Sequence, residues 1–328
     1  MNWQEGYSAA YYLTVIDPKT WRDLETVDIT GGRITKTTDN LMESADIDVT
    51  QNLGEKWVRI WVEGRQIDDG DREALFTGIL QTPGVSWDGN RSTYSAECYS
   101  VLKPASDVLL PRGWYVLAGM NGARAAANLL SVGSAPVIYD DASPALFNTI
   151  VAEDGETNLT MAWKIVNAIG WRIRIDGRGT INICQQATEP SVRLDTQNLD
   201  IVEPAITDDQ DFYSCPNVFR ATSGDLTAVA RDEDSITERG REIWAEEKDC
   251  ALNSGESISS YAKRRLKELQ SPSRKVKYSR RNLPDITTGD MVNLNFPKQS
   301  IFGNYIIKKQ SIDLGYAAKV AEEVEKVG

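Results

Sequence analysis

RRNLPDITTGDMVNLNFP, residues 280–297, contains two turn signals followed by a β-strand signal. Pro284 and Gly289 stand in short polar clusters that are typical of turns. Val292, Leu294 and Phe296 then alternate with asparagines, which places the apolar side chains on one sheet face and the amides on the other. We expect Gly289 to adopt positive φ in its turn, so that Gly289→Val costs about 1–2 kcal/mol and impairs assembly.

A similar pair of strands is predicted near the N-terminus. Residues 58–62 alternate as Val58-x-Ile60-x-Val62 and precede an aromatic-glycine strand at 76–80, just as residues 292–296 precede one at 302–307. β-Barrels commonly reuse such pairs, so an internal repeat and coincidence both stay open.

The composition is that of an ordinary globular protein. The chain has 328 residues, 41% hydrophobic and 26% charged, which is enough for two or three domains with separate cores. No apolar run approaches the roughly 20 residues of a membrane span. The start, MNWQEGYSAAYYL, lacks the basic and apolar regions of a signal peptide, so we expect no membrane anchor and synthesis in a cytoplasm.

Histidine is absent, which excludes Ser-His-Asp and Cys-His sites and histidine metal centres. An enzyme with this sequence would depend on carboxylates, lysine, tyrosine or a cofactor. The cysteines are more than 30 residues apart and form no CxxC pair, so we expect buried reduced thiols at Cys98, Cys184, Cys215 and Cys250.

The net charge of −12 opposes a general affinity for nucleic acid, because phosphate binding depends on clustered cations. The same charge suits a surface past which nucleic acid moves without sticking.

The distribution of strand and helix signals divides the chain into three parts. Residues 1–103 carry short strand signals separated by Gly and Pro, which is typical of a barrel or a sandwich. Residues 104–190 form an expected small α+β domain. Residues 191–328 return to β texture and include one predicted helix at 257–269, whose apolar stripe is Ile258, Tyr261, Ala262, Leu266 and Leu269. The predicted strands are 11–16, 45–49, 58–62, 75–80 and 93–98, then a hairpin at 171–183, and finally 292–296 and 305–312. The predicted helices of the middle part are 121–130 and 158–168, the second with Met161, Ile165 and Ala168 on one face and Gly170 as its stop.

One segment of the middle part has features of a nucleotide site. Gly119 and Gly122 lie between a possible strand and a helix, and Asp140 follows about 20 residues later. Dinucleotide sites use three glycines and further βαβ units, which this segment lacks. A helix that begins at an asparagine cap, Asn121, is therefore favoured.

Two acidic runs raise the alternatives of glycoside cleavage or calcium binding. Neither run has the spacing of a calcium loop, so solvated turns are favoured. The runs comprise Asp68, Asp69 and Asp71, and Asp232, Glu233 and Asp234.

A basic run from Lys263 to Arg281 holds nine Lys and Arg residues against one acid, Glu268. Binding of nucleic acid is one interpretation. The favoured one is a solvated helix face and a strand beside an acidic neighbour, in this chain or in a partner, because residues 232–256 are densely acidic. The run comprises Lys263, Arg264, Arg265, Lys267, Arg274, Lys275, Lys277, Arg280 and Arg281.

Residues 213–240, YSCPNVFRATSGDLTAVARDEDSITERG, combine an Asn-Val strand, a Gly-Asp turn, an Ala-x-Ala strand and Ser-Ile-x-x-x-Gly. The helix SSYAKRRLKEL and the closing segments ITTGDMVNLNF and GNYIIKKQSIDL follow in order. Together they resemble the baseplate hub proteins of contractile phage tails and phage-like bacteriocins. The late-control protein D group and the hub part of type VI secretion spikes belong to the same set of proteins. The resemblance covers almost the whole chain and includes no catalytic motif.

The resemblance implies a mainly β fold with α+β parts: two tail-tube-like β-barrel domains, at 1–103 and 191–328, and a small α+β domain at 104–190. It also implies a homotrimeric, non-enzymatic hub that joins a hexameric tail tube to a three-fold spike or tip in the virion or phage-tail-like particle. Tape measure and baseplate wedge proteins are the further partners that this set implies. Any wall-cutting activity would belong to a separate chain. Two barrels in each of three chains would present six docking faces.

Two other functions stay open at this point. One is the tip hub of a non-contractile tail, and the other is a carboxylate-based protein that hydrolyses or binds glycans. We expect no catalytic, cofactor-binding or metal-binding residues, no cofactor and no sequence-specific binding of nucleic acid.

Overall fold

The computed structural model describes residues 3, 7–65, 70–82, 84–88, 91–196, 207–210, 215–248, 250, 256–270, 274–315 and 319–327. For residues 88, 91, 93, 207–210 and 274 it describes the backbone only. The described chain is mainly β with small helices, in agreement with the predicted class.

The N-terminal part contains every strand that the sequence predicts there and two more. The sequence does not predict the strand at 23–37, because Gly31-Gly32 has the composition of a turn between two strands. The strand instead passes through both glycines with a shift of register between Ile29 and Gly31, as in a β-bulge. The strands are β1 Ser8–Ile16, β2 Asp23–Thr37, β3 Glu43–Val49, β4 Lys56–Arg65, β5 Gly70–Leu80, β6 Gly84–Asp88 and β7 Arg91–Ser100.

The middle part contains the predicted helices and hairpin. Thr157 caps the third helix, and Met161 and Ile165 are fully buried on the predicted face. Gly170 follows the helix with φ 69°, which confirms it as the stop. The elements are α1 Lys103–Asp107, β8 Tyr115–Val116, α2 Gly122–Leu130, β9 Val137–Tyr139, β10 Ile150–Val151, α3 Asn158–Ala168, β11 Trp171–Ile175 and β12 Ile181–Gln185.

The C-terminal part corrects two predictions. It contains a second helix at 233–239 besides the predicted one, and a last strand at 319–326 after the last predicted strand, 305–312. The strands at 218–223, 226–231 and 244–247 also form a sheet of their own. The elements are β13 Val192–Asp195, β14 Thr207–Gln210, β15 Val218–Ser223, β16 Leu226–Arg231, α4 Glu233–Arg239, β17 Trp244–Glu247, α5 Ile258–Gln270, β18 Arg274–Arg281, β19 Met291–Phe296, β20 Ile301–Asp313 and β21 Lys319–Lys326.

Thirteen of the described strands form one sheet. Within it, the first strand set runs in the order β1-β4-β5-β7-β3-β2, and β1 also pairs with β2, so that the order closes on itself. The second strand set runs in the order β13-β19-β20-β21-β18-β14. Numbered along the chain, both sets therefore read first, fourth, fifth, sixth, third, second, with β6 as an extra strand of the first set.

The register of the two sets also agrees. In each set, a row of directly opposed residues crosses five neighbouring strands. In chain numbering these are the second, third, sixth, fifth and fourth strands of the set. When the rows are superimposed, Val58 falls on Val292 and Ile60 on Leu294, the residues that the sequence pattern aligned. The rows are Thr35, Ser44, Tyr99, Ile79 and Trp57 in the first set, and Asp209, Lys275, Glu325, Ile306 and Met291 in the second.

The sets differ in two pairings and share one seam. β1 pairs antiparallel with β4 and with β2, whereas β13 pairs parallel with β19 and, among the described strands, does not pair with β14. The seam is formed by residues 33–37 of β2, which pair antiparallel with residues 309–313 of β20.

Among the described residues, the hydrophobic core has four clusters. One lies in the first strand set and continues across the seam to Ile312, Leu314 and Val320, one lies in the second strand set, one in the middle part around α2 and α3, and one between α5 and the sheet β16-β15-β17. In the last cluster, Tyr261, Ala262 and Leu266 form the buried stripe that the sequence predicts for α5.

Candidate assembly surface

The stretch 280–297 begins with a buried ion pair inside the second strand set. Arg280 is fully buried and donates to both carboxylate oxygens of Glu322 on β21, at 2.9 and 2.5 Å. Gln310 donates to the same carboxylate at 2.9 Å. A buried charge needs such partners, since an unpaired one costs several kcal/mol.

The turn before β19 binds the middle part. The carbonyl of Gly289 accepts hydrogen bonds from Arg172 and, at 3.0 Å, from Gln186. The carboxylate of Asp290 accepts from Arg174 at 3.1 Å and lies 3.6 Å from Arg172. Gly289 has φ 82°, which confirms the predicted positive φ.

A second buried ion pair lies where β2 and β3 meet this turn. The Nζ of Lys36 is 3.7 Å from the carboxylate of Glu43 and donates to Thr287 at 3.4 Å. One oxygen of Glu43 is buried without a hydrogen-bond partner. Burial, opposed by Lys36 and reinforced by Asp176, raises the pKa of Glu43 to about 7.

The predicted hairpin turn 176–179 fixes the middle part to the first strand set. Thr77 donates to the carbonyl of Gly177 at 2.7 Å, while Trp21 and Arg59 donate to that of Arg178 at 3.0 and 3.1 Å. A Cβ added to Gly177 would lie 1.6 Å from a backbone oxygen of β5. Only glycine fits this close approach of two backbones.

The suspected nucleotide segment is an ordinary capped helix start. The side chain of Asn121 accepts from the backbone N–H of Arg124 at 2.8 Å, and Ser143 accepts from that of Ala123 at 3.0 Å. A Cβ on Gly122 would lie 2.5 Å from Ile169, so this glycine serves packing. Asp140 accepts from a backbone N–H of its own loop. The first amides of α2 are thus occupied by the protein itself, as the favoured interpretation predicted.

The acidic runs are placed as follows. Asp68 and Asp69 lie outside the described residues, and Asp71 is exposed. Asp232 caps α4 by accepting from a backbone N–H at 3.0 Å, so the second run begins a helix and is not the predicted turn. Within the described part of the chain, no group of His, Cys, Asp or Glu residues could hold a metal ion.

Four residues of the basic run form ion pairs with acids of the same chain. Arg264 binds Glu256 and Glu268, and Arg265 binds Glu247 and Glu268. On β18, Lys277 pairs with Glu323 of β21 and Arg280 with Glu322. These contacts confirm the prediction of a helix face and a strand beside acidic neighbours.

The cysteines are free thiols. Cys98 and Cys250 are buried, in agreement with the prediction, whereas Cys184 and Cys215 are only partly buried. Burial raises the pKa of the Cys98 thiol, which makes it a poor nucleophile.

The surface shows apolar residues at a strand edge that the sequence reading missed. Val85 and Trp87 on β6 are 45% and 75% exposed. The sequence signal for this strand is the alternation of Val85 and Trp87 with small or polar residues between Gly84 and the Asp88-Gly89 turn signal. Among the described strands, β6 pairs only with β7, so its other edge has no strand partner. Edges of this kind are templates for pairing with another chain.

A second exposed apolar group lies on the middle part. β8 and β10 pair with Val151 opposite Tyr115. Tyr115, Leu117, Phe147 and Val151 are all about half exposed. Over the residues that the model covers, no helix has the length and apolar character needed to cross a membrane.

The fold is similar to that of phage tail proteins, as solved structures show. A tail protein from Neisseria meningitidis MC58 superimposes with a TM-score of 0.75 at 16% identity, covering 98% of each chain. The 43 kDa tail protein of prophage MuSo2 from Shewanella oneidensis gives a TM-score of 0.70 at 14% identity, covering 97% of this chain and 96% of that one.

A third similar structure is that of a type VI secretion component. The E. coli c3393 protein, a type VI secretion component with structural similarity to the T4 tail proteins gp27 and gp5, gives a TM-score of 0.53 at 10% identity, covering 96% of this chain and 77% of that one. No protein-family model matches the sequence, and no curated protein matches it. At these identities the likeness establishes the fold.

Proposed function

We propose that the protein is the non-enzymatic hub of a phage or phage-like tail baseplate. Three chains form a ring that joins a hexameric tail tube to a three-fold spike or tip. The observation that carries this proposal is the shared strand order and register of the two strand sets. A chain with two equivalent modules lets a trimer offer six similar faces to a tube.

In this proposal the two strand sets are tail-tube-like barrels, within residues 1–103 and 191–328, and residues 104–190 are an α+β domain. Residues 215–270 are an insertion into the second barrel, because their sheet and α5 enclose a separate hydrophobic cluster. The ion pairs of Asp290 with Arg172 and Arg174 hold the second barrel and the α+β domain in a fixed arrangement, which a ring requires if every joint is to have the same angle.

The partners follow from this role. They are two further copies of the chain, a tube protein on one side and a spike or tip protein on the other, with tape measure and wedge proteins nearby. The net charge of −12 suits a channel for DNA or unfolded protein, because carboxylates repel phosphate. The protein would be made in the bacterial cytoplasm and assembled into the particle.

Sedimentation of the purified protein tests the proposal. We expect a trimer, either alone or after addition of its spike partner. A strict monomer under both conditions contradicts the hub role. Turnover of peptidoglycan that one Asp or Glu substitution abolishes would instead favour a glycan-hydrolysing tail protein. A sheath gene nearby would distinguish a contractile tail from a non-contractile one.

A further inference from the structure

In the first strand set, β6 has the position that the C-terminal end of β20 has in the second set. In the first set, Ile79 of β5 and Val85 of β6 lie opposite Tyr99 and Tyr94 of β7. In the second set, Ile306 and Ile312, both on β20, lie opposite Glu325 and Val320 of β21. The spacing along both strand lines is the same, so β5 followed by β6 is equivalent to the single strand β20.

The two equivalent strands differ in what covers their second edge. On one edge of β20, residues 309–312 pair with β21. On the other edge, residues 309–313 pair with β2, where Thr35, Ile34 and Arg33 oppose residues 311, 312 and 313. β6 pairs with β7 alone among the described strands. The edge of β6 that β2 would cover by analogy therefore carries none of the described strands of this chain.

The strand equivalent to β2 shows the complementary situation. Thr35 of β2 lies opposite Ser44 of β3, just as Asp209 of β14 lies opposite Lys275 of β18. β2 uses its other edge at this level for β20, whereas β14 pairs only with β18 among the described strands. Each chain thus contains β14, which is equivalent to β2, and β6, which is equivalent to the end of β20. Unlike β2 and β20, these two strands do not pair with each other.

We propose that β14 of one chain pairs antiparallel with β6 of a neighbouring copy. The inference rests on the trimeric ring proposed above and specifies its joint. Transfer of the internal register places Thr207, Asp208 and Asp209 opposite Ser86, Val85 and Gly84 of the neighbour. The contact is heterologous, so three copies close a ring in which internal and intermolecular joints alternate. Main-chain hydrogen bonds supply the recognition, as in other strand additions.

Disulfide trapping tests the joint and its register. Opposed Cα atoms of antiparallel strands are about 4.5–5.5 Å apart, within reach of a disulfide. The double variant Ser86→Cys/Thr207→Cys is expected to give mostly covalent trimers on a non-reducing gel after mild oxidation. The matched control, Ser86→Cys/Asp208→Cys, places the second thiol on the opposite face of the strand and is expected to remain largely uncrosslinked. Each single variant controls for the native thiols.

A substitution at the free edge gives an independent measurement. Val85→Lys adds a charge at an exposed edge, which is known to block sheet extension, and Val229→Lys, at a residue of almost equal exposure (47% against 45%), is the control. We expect Val85→Lys to abolish the trimer without changing the melting temperature of the monomer, and Val229→Lys to keep the trimer.

The outcomes separate the two proposals. Trimers in which the 86/207 pair does not crosslink, or which survive Val85→Lys, would overturn the β6–β14 joint and leave the ring intact. A protein that is monomeric under all conditions would overturn both.

Discussion

Gly289 is the position at which one substitution tests the connection between the second strand set and the middle part. Gly289→Val forces a β-branched residue into the left-handed region at φ 82°, which costs about 1–2 kcal/mol. Its Cβ would also lie 2.4 Å from an Nη atom of Arg172. That guanidinium must move and give up its hydrogen bond to the Gly289 carbonyl, a loss of about 1.5–3 kcal/mol. The total is about 2.5–5 kcal/mol, more than strain alone provides.

Urea unfolding followed by tryptophan fluorescence measures this free energy in four proteins. They are the wild type, Gly289→Val, Arg172→Ala and the double variant. In the Arg172→Ala background the valine should cost only the strain, about 1–2 kcal/mol. Gly224→Val is the matched control, because Gly224 has φ 57° and nothing within 4 Å of an added Cβ. Equal costs of Gly289→Val in both backgrounds would refute the role assigned to Arg172.

Three other substitutions address the buried contacts. Glu322→Gln leaves its arginine partner buried and unpaired, so it should lower the free energy of unfolding by about 3–5 kcal/mol in urea titrations; a loss below about 1 kcal/mol would contradict a buried ion pair. Burial raises the pKa of Glu43 to about 7, so its contribution to stability is fully present below the unfolded value and is lost as pH rises through about 7. Melting temperatures from pH 4 to 8 should therefore fall with pH more steeply in the wild type than in Glu43→Gln, and parallel curves would argue against this assignment. Gly177→Ala should lower the melting temperature well beyond Gly155→Ala, whose added Cβ meets nothing within 4 Å, because the new methyl group meets the backbone oxygen of Ala74; equal effects would contradict the tight docking of the turn.

Local signals were sufficient for much of the fold. Alternation predicted β19, an asparagine cap predicted the start of α2, and the apolar stripe predicted α5. These succeeded because each depends on neighbours within a few residues. The pairs around Val58 and Val292 also proved to occupy equivalent places.

The features that local signals did not predict depend on contacts between residues that are far apart in the sequence. β21 was missed because Glu322 points inward between Val320 and Val324, and a buried carboxylate is tolerated there only because Arg280 faces it. The rows that relate the two strand sets align Trp57 with Met291 and Thr35 with Asp209, pairs without chemical similarity. Their equivalence is set by strand order and register, which depend on long-range pairing.

In the proposed ring, two equivalent modules per chain give a trimer sixfold geometry. Electron microscopy of the assembled protein, averaged along the ring axis, measures the number of modules around the ring most directly. We predict an annulus with a central pore, three-fold symmetry and six similar lobes. A ring with only three lobes at the level of the strand sets, or particles without a pore, would contradict the account.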